Sequence, residues 1–249
     1  NFPSQTEDIL FADLERIAEC GARQTTFSPL YVSNATMKKM TSTLGQMDYG
    51  REWNFYRILD GVLAGGDEPL FGRETVWTFN RLDETGRVDD AVRINEYQTS
   101  YNEYAAIGSG SITHLDGALY VNEFSIPKYN SMIQSGRMSV KEKTVMSRRD
   151  LMRYRFLLDL YRLRLDKERF KREFGMSVER GLPVEMTFLA ANGAFSVNDD
   201  REILLTERGR YLVLVMYRQF LSGMNNLREQ ARKRLTGYER TLHFGDGTQ

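Results

Sequence analysis

Hydrophobic positions near the start of the chain recur at helical spacing. Ile9, Leu10, Leu14, Ile17 and Ala18 fall on one stripe, Thr6 stands where an N-cap belongs, and Glu7 and Asp8 suit the positive first turn. Gly21 supplies a left-handed stop, so the pattern predicts a helix over residues 6–20. Residues 24–32, rich in β-branched and aromatic side chains and interrupted by Pro29, predict a strand. A helix followed by a strand predicts a parallel α/β layer. Trp53, Phe55, Tyr56, Ile58, Leu59, Val62 and Leu63 predict a helix over 50–64 that stops at Gly65 and Gly66. Residues 74–80 read as a strand, 84–86 as a turn, 88–97 as a further extended stretch and 104–107 as a short apolar strand. Leu115-Asp116-Gly117-Ala118 has the composition of a tight hairpin turn.

Beyond residue 126 the pattern changes to helices dense in charge. Leu151, Tyr154, Leu157, Leu158 and Tyr161 share one stripe of a helix over 147–164, with Ser147 and Asp150 spaced as a capping-box variant. Asp166 caps a second short helix through 174, Pro183 suits the first turn of a third, and Gly193 ends it. Residues 194–197 and 202–205 flank a polar turn and predict a β-hairpin. Thr206 caps a last long helix through about residue 221, continued by a polar helical tail near 235. Three helices, a hairpin and a helix resemble a winged-helix domain. The chain therefore divides into residues 1–125, residues 126–235 and a loose tail over 236–249, with no internal repeat.

A chain of 249 residues with 41% hydrophobic and 12% aromatic content can bury such a two-part core. Lysine plus arginine equals aspartate plus glutamate at 34 each, so the overall field favours neither nucleic acid nor an anionic membrane as partner. Cys20 is the single cysteine, which excludes an internal disulfide and a multi-cysteine metal site built from these residues, and suits a reducing cytoplasm. No apolar run approaches the roughly 18 to 20 residues of a membrane span. The opening Asn1-Phe2-Pro3 lacks an initiator methionine and reads as a loop with further chain before it.

Few residues carry evident chemistry. Gly108-Ser109-Gly110-Ser111 suits either a plain tight turn or a loop that lets a ligand approach the backbone, and matches neither the dinucleotide nor the P-loop fingerprint. His114, without a second histidine or cysteine nearby, reads as structural or exposed, His243 as part of the tail, and Cys20 as a small buried hydrophobe at a helix end. Hydrolase and zinc-protease motifs are missing. The basic cluster from Arg148 to Arg172 is interleaved with Asp150, Asp159, Asp166, Glu168 and Glu173, as on a solvated face laced with ion pairs. Arginine forks recognising a carboxylate-rich substrate are the other reading.

Several segments, in order, resemble the oxygen-independent coproporphyrinogen III oxidase (HemN-like) family. Asn1-Phe2-Pro3-Ser4-Gln5-Thr6 is similar to its Gly-Leu-Pro-x-Gln-Thr segment, and Ser28-Pro29-Leu30-Tyr31 to the end of the next strand. Ile107-Gly108-Ser109-Gly110-Ser111-Ile112 resembles its Gly-x-Gly-x-Ser-x-Ile loop, and Leu119-Tyr120-Val121-Asn122 is similar to the stretch after that loop. Residues 154–166, Phe174-Gly175 and 205–212 resemble its helical accessory domain. Residues 40–100 match poorly.

The resemblance implies an α/β fold: the C-terminal part of a partial (β/α) radical S-adenosylmethionine (SAM) barrel, then a mostly helical, winged-helix-like C-terminal domain. It implies SAM and a 4Fe-4S cluster in the full-length protein, whose three-cysteine motif this sequence does not contain, so these residues alone are expected to be inactive. Tyr31 and Ile112 stand at positions resembling SAM contacts, with Gly108 and Gly110 small to admit ligand, and no catalytic residue carries over. The implied reaction is radical oxidative decarboxylation of a porphyrinogen, with a flavodoxin or ferredoxin as electron donor, a tetrapyrrole or other small molecule as substrate, and a cytoplasmic monomer as the working form. Asn1-Phe2 and residues 28–31 depart from the porphyrinogen-oxidising pattern, which keeps a HemN-like methyltransferase or haem-degrading enzyme open, beside a non-enzymatic winged-helix binding module.

Overall fold

A computed structural model describes residues 1–88, 103–235 and 237. The chain begins with helix α1 (Glu7–Glu19), where the Thr6 hydroxyl accepts the Ile9 N–H at 3.3 Å and Gly21 turns the chain at φ 67°. Next come strand β1 (Gln24–Thr26), helices α2 (Asn34–Leu44) and α3 (Tyr49–Ala64), and strands β2 (Phe71–Arg73) and β3 (Thr78–Arg81). Leu10 and Leu14 of α1 meet Phe55 and Leu63 of α3 over Phe71 and Phe79 of the sheet, forming a small apolar core.

This layer is antiparallel. Its sheet has the order β1-β3-β2, with Gln24 opposite Asn80 and Phe71 opposite Arg81, which corrects the parallel arrangement expected from the helix-strand order. The expected strand over 24–32 stops early. Phe27 still donates its N–H to the Trp77 carbonyl at 2.9 Å, but Pro29 has no N–H to continue the ladder. Pairing in the expected strand over 74–80 starts only at Thr78, because Thr75 folds the chain into a turn, its hydroxyl accepting the N–H groups of Trp77 and Thr78.

The second sheet consists of β4 (Ile112–Leu115), β5 (Ala118–Asn122) and β6 (Val140–Val145), all antiparallel in that order, with helix α4 (Ile126–Gln134) between β5 and β6. Asp116 (φ 49°) and Gly117 (φ 66°) are both left-handed, the requirement of a two-residue hairpin turn between Leu115 and Ala118. The strand expected over 104–107 reduces to one bridge, Tyr104 to His114. Beyond Val88, which bridges Leu82, the extended stretch expected to residue 97 lies outside the described residues, as does the tail over 236–249 apart from residue 237.

The last part runs helix α5 (Arg148–Tyr161), strand β7 (Arg164–Asp166), helices α6 (Lys167–Phe174), α7 (Val178–Gly181) and α8 (Pro183–Ala191), strands β8 (Phe195–Asn198) and β9 (Glu202–Leu205), and helix α9 (Glu207–Lys233). The strands pair antiparallel in the order β7-β9-β8. Ser147 caps α5, Asp166 caps α6, and the Thr206 hydroxyl accepts the Gly209 N–H at the start of α9. Helix α9 runs unbroken past the expected end near residue 221. Its main core joins Phe156, Leu160, Leu165, Phe170, Leu189 and Ile203 to Trp77 and Tyr56 of the first layer. At Gly209 a methyl group would stand 2.0 Å from the Ala194 carbonyl, so the hairpin and α9 meet at backbone distance. Among the described residues no helix is long and apolar enough to cross a membrane.

Candidate functional site

The glycine loop closes back on itself. Gly108 donates its N–H to the Tyr129 hydroxyl at 3.1 Å, while its carbonyl accepts from the Ser111 hydroxyl at 2.7 Å and from Asn122 Nδ2 at 3.1 Å. Gly110 donates to the Glu123 carbonyl at 3.0 Å. Gly108 and Gly110 take φ values of 112° and 66°, which L side chains adopt rarely. The space beside the two glycines differs. A Cβ on Gly110 would meet the Phe124 ring at 2.8 Å, so protein already fills that direction, whereas nothing lies within 4 Å of one on Gly108.

Ile112, the first residue after the loop, lines a cavity of about 570 Å³ between the β4-β5-β6 sheet and α9, together with Val121, Phe124, Leu227, Ala231 and Leu235. Tyr31 lies elsewhere, in an open cleft of about 500 Å³ that it shares with Asn1, Phe2, Gln5, Ser28 and Pro29. Its ring stacks on Trp77 at 6.2 Å and 14°. One turn of α9 touches both places: Asn225 Nδ2 donates to the Tyr31 carbonyl at 3.2 Å, and Met224, Leu227 and Arg228 line the Ile112 cavity. Gly108, Gly110 and Ile112 are thus one unit, and Tyr31 is joined to it through α9 rather than through a common cavity.

Under the Tyr31 cleft lies a buried polar ladder. Glu52, Tyr56 and Asp60 of α3 are spaced four apart and share one face, opposite Arg218 and Arg210 of α9. The pairing of 52 with 218 and of 60 with 210 sets the two helices antiparallel. Asp60 accepts from Arg73 at 2.5 and 2.9 Å and from Arg210 at 2.7 Å. Glu52 binds Arg218, the Tyr211 hydroxyl at 3.3 Å and Asn1 Nδ2 at 3.3 Å. Arg51 then holds the opening segment by its backbone, donating to the Phe2 carbonyl at 3.2 Å and the Pro3 carbonyl at 3.3 Å. Burial pushes the Tyr56 hydroxyl far above the ordinary tyrosine range, with Asp60 adding to it. Burial also pushes Tyr211 up to about 12, helped by Glu52. The sequence carries a signal for this ladder that motifs do not capture: acids eight apart on an apolar helix face, and arginines eight apart at 210 and 218.

His114 is buried rather than exposed, edge-on to Tyr104 and Tyr154, and neither ring nitrogen finds a partner among the described residues. Burial, then the nearby Tyr104, raises the Tyr154 hydroxyl well above its usual range. Cys20 is exposed, correcting the expectation of a buried hydrophobe: as the C-cap of α1 it projects from the helix end, with Sγ 3.5 Å from the Ile17 carbonyl. The basic cluster divides. Arg153 pairs with Glu185 at 2.6 Å and Arg164 with Glu202 at 2.5 Å on the surface, as expected of a solvated face. Arg155 instead turns inward to Asp159 and Glu173, and burial raises the Asp159 carboxyl above its ordinary value against the pull of Arg155. His243 lies outside the described residues.

Two cofactors are implied by the resemblance, and the residues fit them unequally. The exposed Cys20 has no companion, and no group of three or more histidine, cysteine or acidic side chains that could hold a metal ion occurs among the described residues, so these residues do not fit an iron-sulfur cluster. The glycine loop has spent its Gly108 and Gly110 amides internally and offers a ligand apolar contact through Ile112, which fits one edge of an organic cofactor.

No family model matches the chain, and no curated protein matches it in sequence. Its fold is similar to that of coproporphyrinogen III oxidase (HemN) from Escherichia coli, a radical SAM enzyme, with a TM-score of 0.59 and 13% identity over 90% of this chain and 52% of that chain. The chain spans about half the length of that structure. At this identity the likeness is one of fold, a mixed α/β architecture of the HemN kind.

Proposed function

We propose that this chain is the C-terminal portion of a radical SAM enzyme of the coproporphyrinogen III oxidase type, acting on a porphyrinogen or related tetrapyrrole. The observation that carries the reading is the fold likeness over 90% of the chain to an enzyme of that type. In this reading residues 1–125 complete a partial barrel, with Tyr31 at a strand end and Gly108, Gly110 and Ile112 in the loop that meets SAM. Catalytic groups of barrels gather at such strand ends and loops. Residues 126–235 form a winged-helix-like accessory domain, the order α5, β7, α6, α8, β8, β9 supporting that assignment. When bound, SAM and its cluster would supply a deoxyadenosyl radical. The present residues contribute the apolar Ile112 wall and a clamped Asn1–Gln5 segment, and leave cluster ligation to another part of the protein. The enzyme would work in the cytoplasm as a monomer and take electrons from a flavodoxin or ferredoxin.

The natural gene product, purified without oxygen, is expected to carry about four irons per chain and to cleave SAM reductively. The 249 residues alone, reconstituted with iron and sulfide, are expected to carry none. An iron-free gene product would sink the radical SAM reading. Product mass then separates carboxyl loss from methyl gain and from opening of a haem ring.

A further inference from the structure

Aromatic rings run without a break from the open cleft to the surface beside β4. Tyr31, in the cleft, stacks on the buried Trp77 at 6.2 Å. Trp77 lies edge-on to Tyr217 of α9 at 5.2 Å and to Tyr161 of α5 at 5.4 Å, and those two tyrosines stack on each other at 4.3 Å. Phe220, further along α9, meets Tyr217 at 5.8 Å and Tyr154 of α5 at 6.2 Å. A hydrogen bond links Tyr154 to Tyr104, and His114 of β4 stands edge-on to both rings. Tyr104 is 42% exposed, so one end of the chain opens into a cleft and the other into solvent. Apart from Phe220 and His114, every ring is a tyrosine or a tryptophan, side chains that yield an electron to a strong oxidant. Packing does not call for that choice: the buried indole N–H of Trp77 has no hydrogen-bond partner among the described residues, a cost that a ring without a polar group avoids.

We propose that this chain of rings is an electron-transfer route that drains an oxidising radical from the Tyr31 cleft to the surface at Tyr104, where a thiol in solution quenches it. The inference rests on the radical reading above, which puts a carbon-centred radical near Tyr31, and gives a radical that misses its substrate a harmless exit. Tyr31 passes the hydrogen atom of its phenol to that radical, so an O–H bond breaks and a C–H bond forms. The Tyr31 phenoxyl then takes an electron from Trp77 and a proton from water in the cleft. Trp77 is left as a cation radical with its N–H in place. The electron that restores it comes from Tyr104, by way of the stacked Tyr161 and Tyr217, Phe220 and Tyr154. Tyr104 loses its phenolic proton to the surrounding water and becomes the phenoxyl. A thiol gives it back a hydrogen atom, and two thiyl radicals pair as a disulfide.

The test supplies the oxidant by light and needs no cofactor. In the 249-residue chain, Cys20→Ser removes the exposed thiol and Ser4→Cys places a new one in the wall of the cleft, to carry a ruthenium polypyridyl label. A flash in the presence of a cobalt(III) quencher oxidises the label, and a nitroso spin trap with peptide mass spectrometry locates the radical. An adduct on Tyr104 is expected, and added thiol is expected to suppress it. Trp77→Phe breaks the chain of rings near its entrance, and Phe220→Leu breaks it at a position 37% exposed, where the fold tolerates change. Each is expected to abolish the Tyr104 adduct while the circular dichroism spectrum stays unchanged. An isotopically heavy, unlabelled chain in the same sample reports attack between molecules. Equal adduct on its Tyr104 overturns the inference, as does a full Tyr104 adduct in either folded variant or an adduct confined to the cleft. The iron content of the gene product decides the radical SAM assignment separately.

Discussion

Replacing Asp60 with alanine is expected to cost about 3–5 kcal/mol of folding stability, the range for breaking a buried ion pair by removing one partner. Its side chain is 5% exposed and is held by two arginines, Arg73 from β2 and Arg210 from α9. Removal leaves two guanidinium groups facing each other with no counter-charge, one of them on the helix that ties the first layer to the rest. The Asn variant preserves shape and an acceptor oxygen and should lose less. An exposed pair on the same helices is the control: Arg57 and Glu207 stand 3.9 Å apart with both side chains well exposed, and Glu207→Ala should cost at most about 1 kcal/mol. Urea denaturation followed by circular dichroism measures all three. A loss below about 1 kcal/mol for Asp60→Ala would mean that water reaches the ladder.

Trp77→Ala is expected to be comparably damaging, about 3–5 kcal/mol, because a fully buried indole leaves a large cavity. Its ring lies edge-on to Tyr161 at 5.4 Å and to Tyr217 at 5.2 Å, and stacks on Tyr31 at 6.2 Å. One residue thus joins the first layer to α5 and α9 and supports the tyrosine of the open cleft. The indole N–H is buried without a hydrogen-bond partner among the described residues, so Trp77→Phe removes an unsatisfied donor while keeping an aromatic plate. Phenylalanine should therefore recover most of the loss. Thermal melts of the two variants check the ordering, and equal damage from both would mean that a phenyl ring does not fill the space the indole leaves.

Local chemistry is legible in the sequence where a single residue decides the outcome. Thr6, Ser147 and Asp166 cap the helices they are expected to cap, and the Asp116-Gly117 turn forms because both positions tolerate left-handed backbone. Helix α2 leaves no trace in the pattern because none of its residues is buried, so no apolar stripe marks it. Strand β6 is an exposed edge whose Lys141, Glu142 and Lys143 resemble a polar loop. Strand direction is hidden for a different reason: pairing of β1 with β3 spans more than fifty residues, and local order carries no information about it. The cavity is invisible on the same ground, since its walls come from residues 112–144 and 224–235.

The single turn of α9 that binds Tyr31 on one side and lines the Ile112 cavity on the other constrains how this chain can drift in evolution. Each residue inserted in a helix rotates everything beyond it by about 100° and shifts it by about 1.5 Å. One insertion between Arg218, anchored to Glu52, and Asn225 would turn Asn225 away from Tyr31 and Leu227 away from the cavity together. Homologues that keep both features should therefore conserve the length of α9 more strictly than its sequence, and a gap there would mark descendants that have abandoned both.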